Sequence, residues 1–269
     1  MSVAEIGVIG GSGFYHLLDG GRELTVQTPY GATSDVISVG EIAGRRCAFL
    51  PRHGRRHSLP PHRVPNRANI YALKELGVTQ IIATAAVGAL TGRHSIGQFV
   101  FADQLVDFTR GQREDTFYDG PITTHIGFSH PYCPQMRAAA ARAAEQLGLP
   151  FSSEATLVVT GGPRFSTKAE SDFFAAQNWH LENMTQYPEA ALARELTLSY
   201  LNLSLVTNSH VEAENAHETE LVEAPSVMQV LRDKLDDLKR LVAGVIELLP
   251  PGEQRPQFIR DALKNGRWV

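Results

Sequence analysis

Short apolar runs rich in β-branched residues alternate along the chain with longer stretches where apolar positions recur every three or four residues. The runs fall at 6–9, 47–50, 80–85, 99–102, 155–160 and 203–207. Runs this short, apolar throughout and bounded by turn residues, predict strands buried on both faces. Between them, 67–76, 134–147, 168–177 and 189–196 read as helices. Pro134 and Pro188 stand at the starts of two of these, where proline's missing N–H would have no helical partner anyway. Later, Val227, Val230, Leu231, Leu235, Leu238, Val242 and Val245 share one helical face, predicting one long helix laid on the core. Alternating strands and helices imply an α/β fold with a mostly parallel sheet covered by helices. No repeat, low-complexity tract or Ser/Gly linker interrupts the pattern, so residues 1–269 are expected to form a single domain. Pro250-Pro251-Gly252 begins a tail over 250–269, expected to wrap the surface or a partner subunit.

With 43% apolar and 20% charged residues, the 269-residue chain can bury a full core. Twenty-nine acidic against 25 basic residues leave a net charge of −4, which weighs against nucleic-acid binding, where affinity rests on neutralising phosphates. Cys47 and Cys133 are too few for a disulfide framework and fit a reducing compartment. No apolar stretch approaches the roughly 18 residues of a membrane span, and the N-terminus lacks a secretion pattern. A cytoplasmic protein without membrane attachment is expected.

Several turns that follow strands carry candidate chemistry. Gly10-Gly11-Ser12-Gly13-Phe14 could converge backbone N–H groups and the Ser12 hydroxyl on an anion, or be a plain tight turn. It has neither the spacing of a dinucleotide fingerprint nor the Gly-Lys-Ser/Thr of a Walker loop. Pro51-Arg52-His53-Gly54-Arg55-Arg56-His57 ends the next run, where open α/β sheets bind ligands; Arg52 suits an anion because guanidinium donors match phosphate oxygens. His53 and His57 have helical metal-pair spacing, but Gly54, Pro60 and Pro61 disfavour a helix there, and no metal is expected. A solvated basic loop is the competing reading. Phe165, after Gly161-Gly162-Pro163-Arg164, could stack on a flat heterocycle, while Ser166 and Thr167 read as a helix cap. Glu182-Asn183-Met184-Thr185 precedes a helix, and Thr207-Asn208-Ser209-His210 ends a strand, where an Asn amide could pair with a base edge.

Taken in order, these segments resemble the trimeric purine nucleoside phosphorylase family, especially its 5′-methylthioadenosine phosphorylase branch, over about residues 5–249. Ile6-Gly7-Val8-Ile9-Gly10-Gly11-Ser12-Gly13-Phe14, Pro51-Arg52-His53-Gly54-Arg55, Ala68-Asn69-Ile70-Tyr71-Ala72-Leu73-Lys74, Gly162-Pro163-Arg164-Phe165 and Met184-Thr185 with Pro188-Glu189-Ala190-Ala191-Leu192-Ala193 carry the likeness. The resemblance implies a twisted, partly barrel-like mixed sheet flanked by helices, in a homotrimer or a hexamer built as a dimer of trimers. It implies phosphorolysis of a purine nucleoside to free base and a ribose-1-phosphate derivative, with phosphate as co-substrate and no cofactor. Ser12, Arg52, His53, Ala85 and Thr185 match phosphate-site positions. Ala86, Phe165, Asn183, Met184, Asn208, His210, Val227 and Leu231 match the nucleoside site, and His125 a residue lent to the neighbouring subunit. Arg52, His53 and Asn208 are the expected catalytic residues.

Three departures stand out. Asn208-Ser209-His210 replaces the Asp-x-Asp pair typical of methylthioadenosine phosphorylases, and an amide can donate to a 6-oxo group where a carboxylate cannot; this tilts the expectation toward 6-oxopurines. Ser166 stands where inosine- and guanosine-type enzymes carry a base-reading Glu. The stretch 208–226 is longer than in relatives and rich in Glu and His, among them Glu212, Glu214 and His217, implying either an altered 5′ pocket or a solvated acidic loop. Methylthioadenosine phosphorolysis proper, a phosphate-independent hydrolase and a silent nucleoside binder are the competing expectations.

Overall fold

A computed structural model describes residues 2–18, 20–109, 111–210 and 224–264. Its centre is β1 (Ile6–Gly10), buried throughout and flanked in parallel by β4 (Arg45–Pro51) and β5 (Gln80–Ala89). Adjacent residues of these strands enter opposite cores. Ile9, Leu50 and Ala83 pack on one side with Leu73 and Leu192, while Val8, Phe49 and Ile82 pack on the other with Met136 and Leu241. A period of two delivers successive side chains to opposite faces, so both faces are covered, as unbroken apolar runs require.

The long strand β5 gives the sheet its shape. Its first half pairs with β1 and its end pairs antiparallel with β10 (Leu181–Asn183), while β11 (Ser199–Ser209) runs parallel to it along most of its length. A strand with three partners forces the sheet to splay and curl, giving the expected partly barrel-like form. Beyond β10 lie β9 (Thr156–Thr160) and β7 (Gln104–Phe108), both parallel; β6 (Phe99–Val100) joins β11 to the short β8 (Phe151–Ser152). At the opposite edge β2 (Arg22–Leu24) and β3 (Ile37–Ile42) run antiparallel; half-exposed and mixed in polarity, they lack the apolar run that marks the central strands.

Helices α1 (Asn66–Glu75), α2 (Pro134–Gln146), α3 (Lys168–Ala176) and α4 (Gln186–Glu195) lie close to the expected bounds. In α4 the regular turns begin at Pro188, because Tyr187 is extended (φ −112°, ψ 133°). The single long helix expected from Val227 to Val245 is instead two, α5 (Ala224–Asp233) and α6 (Leu235–Leu248), parted at Lys234. Apolar periodicity records which face is buried and not the direction of the axis, so it passes through a bend unchanged. The tail returns to its own chain: Arg255 donates to Thr79 O at 3.0 Å, and Ile259 of α7 (Gln257–Arg260) is fully buried.

Candidate active site

The carboxyl ends of β1, β4, β5, β10 and β11, closed over by the start of α5, enclose a pocket of about 420 Å³. Ser12, Arg52, His53, Ala85, Ala86, Phe165, Asn183, Met184, Thr185, Asn208, His210 and Val227 all line it. One residue expected there does not. Leu231 is buried one helical turn further on, beneath Gly13, where it packs in the core. His125, expected at the neighbouring subunit's site and not at this one, is exposed in a surface segment.

One end of the pocket is built around Arg52, which is 1% exposed. Its Nε and Nη2 donate to the two carboxylate oxygens of Glu189, and Nη1 donates to Thr84 O at 2.8 Å. Tyr200 completes the group by donating to Glu189 Oε2 at 2.6 Å. The fork of Arg52 is therefore committed to Glu189, and an anion can reach only the N–H left over on each terminal nitrogen. Burial alone would lower the guanidinium's pKa, but the adjoining Glu189 carboxylate more than offsets this, and the pKa lies above its ordinary value. Gly11 makes the arrangement possible, since a Cβ there would stand 2.7 Å from Thr84 O and 3.1 Å from Arg52 Nη1. The Gly11 N–H bonds Thr84 Oγ1 at 2.9 Å, so the glycine turn offers the Ser12 hydroxyl and the remaining amides rather than a full nest.

His53 is 4% exposed, its Nδ1 lying 2.8 Å from Leu59 O. Burial, reinforced by the Arg52 charge, lowers its pKa to about 4. A neutral ring whose Nδ1–H is held by a carbonyl presents Nε2 as an acceptor, suited to a protonated phosphate oxygen rather than to a bare negative charge. His57 stacks on it at 4.6 Å, with its own Nδ1 2.9 Å from Tyr15 Oη.

In the middle of the pocket Asn183 lines the wall with its oxygen and one amide N–H engaged. Its Oδ1 accepts from Thr185 N and Gln186 N at 2.7 and 2.9 Å, and its Nδ2 donates to Ala86 O at 3.1 Å. It is a turn-former that sets Met184 and Thr185 in place. Arg113, unmarked in the sequence, clamps the same turn from behind by donating to the carbonyls of Tyr187, Met184 and Gly161. Val227 and Met228 add an apolar wall.

At the other end Asn208 accepts from Thr207 Oγ1 at 3.0 Å, which leaves its Nδ2 as the outward donor. The amide and the His210 ring close in over Gly88, where a Cβ would stand 2.7 Å from Asn208 Nδ2 and 2.9 Å from His210 Nε2. His210 Nδ1 is 3.2 Å from Ser171 Oγ, and burial lowers the ring's pKa. Phe165 is 38% exposed at the rim, and Thr167 forms a capping box with Glu170, so its hydroxyl belongs to α3. Glu182, quoted in the sequence only as part of a turn, is a pocket residue that sequence reasoning missed. Among the described residues no group of three or more His, Cys, Asp or Glu is placed to hold a metal. The acidic loop over 211–223 lies outside the described residues.

Residues 5–247 match the phosphorylase superfamily. The chain is 46% identical over 260 residues to the purine nucleoside phosphorylase of Streptomyces coelicolor, covering 94% of this chain and 91% of that one. It is 44% identical over 252 residues to the S-methyl-5′-thioadenosine phosphorylase of Thermofilum pendens, covering 93% and 94%. In structure it superimposes on a methylthioadenosine phosphorylase sourced from an antarctic soil metagenomic library with a TM-score of 0.90 at 36% identity, covering 100% of this chain and 93% of that one. The chain therefore belongs to the phosphorylase superfamily, as a pentosyltransferase of the purine nucleoside and methylthioadenosine phosphorylase type.

Proposed function

We propose that the enzyme carries out phosphorolysis of 6-oxopurine nucleosides, with phosphate bound at the Arg52 end and the base at the Asn208 end. Phosphate attacks C1′ as the C1′–N9 bond breaks; the bonding pair leaves with the purine, which takes up a proton at N7 from solvent, and the C1′–O bond of ribose 1-phosphate forms. Sugar cation and phosphate anion are adjacent in the transition state, so an anion pre-positioned by Ser12, Arg52, His53 and Thr185 lowers the barrier through proximity and charge. Asn208 donates toward the N7/O6 edge of the departing base, Phe165 packs on its face, and Met184 lies along the ribose.

The observation that carries the base preference is the Asn208 amide, whose oxygen is held by Thr207 and whose NH2 remains to donate. A 6-oxo group accepts from that donor; a 6-amino group opposes it, and a mismatch of this kind can discriminate by factors on the order of 10⁴. The apolar wall of Val227 and Met228 favours an apolar 5′ substituent, such as methylthio, over a 5′-hydroxyl. We place His125 at a neighbour's site in a homotrimer, since it shares its surface segment with Ile122, an apolar side chain left 54% exposed. Turnover of inosine, guanosine, adenosine and their 5′-methylthio forms, with and without orthophosphate, tests the assignment. Strict phosphate dependence and a 6-oxopurine preference are expected. Equal cleavage without phosphate would make the protein a hydrolase, and an adenosine preference would overturn the base reading.

A further inference from the structure

We infer that Glu182 is the base-reading acceptor of this pocket, receiving the N1–H of a 6-oxopurine; this rests on the phosphorolysis reading above. The strand register carries the first part of the argument. Gly88 of β5 is the partner of Glu182 in β10 on one side and of Asn208 in β11 on the other. Residues directly opposite across strands project to the same face, so the two polar side chains flank one glycine, with backbones two strand spacings, or roughly 10 Å, apart. Asn208 Nδ2 and His210 Nε2 fill the space directly over Gly88, so a planar base stands beyond them in the pocket that all three residues line, with the Asn208 amide toward one edge and the Glu182 carboxylate toward the other.

The hydrogen-bond inventory carries the second part. Glu182 is 6% exposed, and one of its oxygens, Oε1, accepts from Thr160 Oγ1 at 3.0 Å and from Ser166 Oγ. Those hydroxyls fix the rotamer. The other oxygen, Oε2, accepts no hydrogen bond among the described residues. Its neighbour His210 Nε2 is 3.6 Å away, beyond hydrogen-bonding reach. A buried carboxylate oxygen without a donor is costly in a resting protein, and a ligand N–H relieves that cost. As a carboxylate Glu182 can only accept. It therefore matches the N1–H of hypoxanthine or guanine and opposes the N1 lone pair of adenine.

Glu182→Gln keeps an acceptor for Thr160 and Ser166 and puts an amide NH2 in place of Oε2, reversing the pattern offered to N1. The inosine-to-adenosine ratio of kcat/KM is expected to fall at least about 100-fold relative to the unaltered enzyme, with the KM for phosphate changed less than about threefold. An unchanged ratio in a folded variant would overturn the assignment. Ser166→Ala, which leaves the carboxylate but removes one of its donors, should lower the same ratio several-fold and decides the matter should the first variant fail to fold. Calorimetric affinities of hypoxanthine against adenine read the same contrast without turnover. Phosphate dependence and base preference of the unaltered enzyme test the underlying reading separately, whereas the change in ratio between enzyme and variant tests Glu182.

Discussion

The two ends of the pocket are built on opposite terms. At the end proposed to hold phosphate the strongest groups are already bonded to one another: Arg52 to Glu189 and Thr84, Tyr200 to Glu189, His53 to Leu59. At the base end the Asn208 amide and Glu182 Oε2 keep bonding capacity among the described residues, over a glycine floor. The anion is the same for every substrate, so its site can be fixed rigidly and ready before binding. The base varies between enzymes of one reaction, and discrimination there comes from polar groups that only the right ligand satisfies. On the proposed reading one end supports rate and fold together, and the other sets choice.

The sharpest way to break this contrast is Arg52→Ala. It strands the Glu189 carboxylate in the core, and losing one partner of a buried ion pair costs about 3–5 kcal/mol. Urea denaturation should show that loss, and any folded protein should lose on the order of 10³-fold in kcat/KM for phosphate. Retained activity would remove the caged anion from the mechanism.

Acid should weaken the same end next. His53 in the folded protein has a pKa of about 4, below the ordinary histidine value of 6.5, so the unfolded chain binds its proton first as pH falls. Its contribution to stability is complete above about pH 6.5 and is lost progressively toward pH 4, in total about 3 kcal/mol. Unfolding curves at pH 7 and 4.5 should show the decline, and it should be smaller in His53→Asn.

Asn208→Asp addresses the base end alone. A carboxylate facing an N7/O6 edge repels where the amide donated, so inosine turnover should fall about 100-fold with phosphate KM and stability nearly unchanged. Comparable losses for inosine and adenosine would mean that Asn208 does not read the base. The smallest effect belongs to Thr167→Ala: loss of the capping box costs about 1 kcal/mol of stability and leaves kcat/KM untouched, because that hydroxyl serves α3 and not the ligand.

Much of this was legible in the sequence wherever one residue's neighbours along the chain decide its role. Unbroken apolar runs marked the central strands, because a strand buried on both faces has no polar side to show. Glycine- and proline-rich turns after those runs marked the strand ends that hold Ser12, Arg52, His53 and Asn208. The sequence could not show that Arg52's fork is spent on Glu189, since those residues lie 137 positions apart. Nor could it show that Asn183 is a turn-former, that Leu231 belongs to the core, or that the helix over 227–245 bends at Lys234.

Glu182 shows the same division most plainly. In the chain it is one polar residue in a short turn, with nothing nearby to explain it. Only the pairing of β10 with β5 sets it opposite Gly88, and only the meeting of Thr160, Ser166 and His210 around it makes its carboxylate a site. Local sequence determined which elements form and which turns carry polar chemistry, because backbone conformation and burial periodicity are short-range properties. Which side chains face one another, and which hydrogen bonds remain open, depend on strand register and long-range packing, and these exist only in the folded sheet.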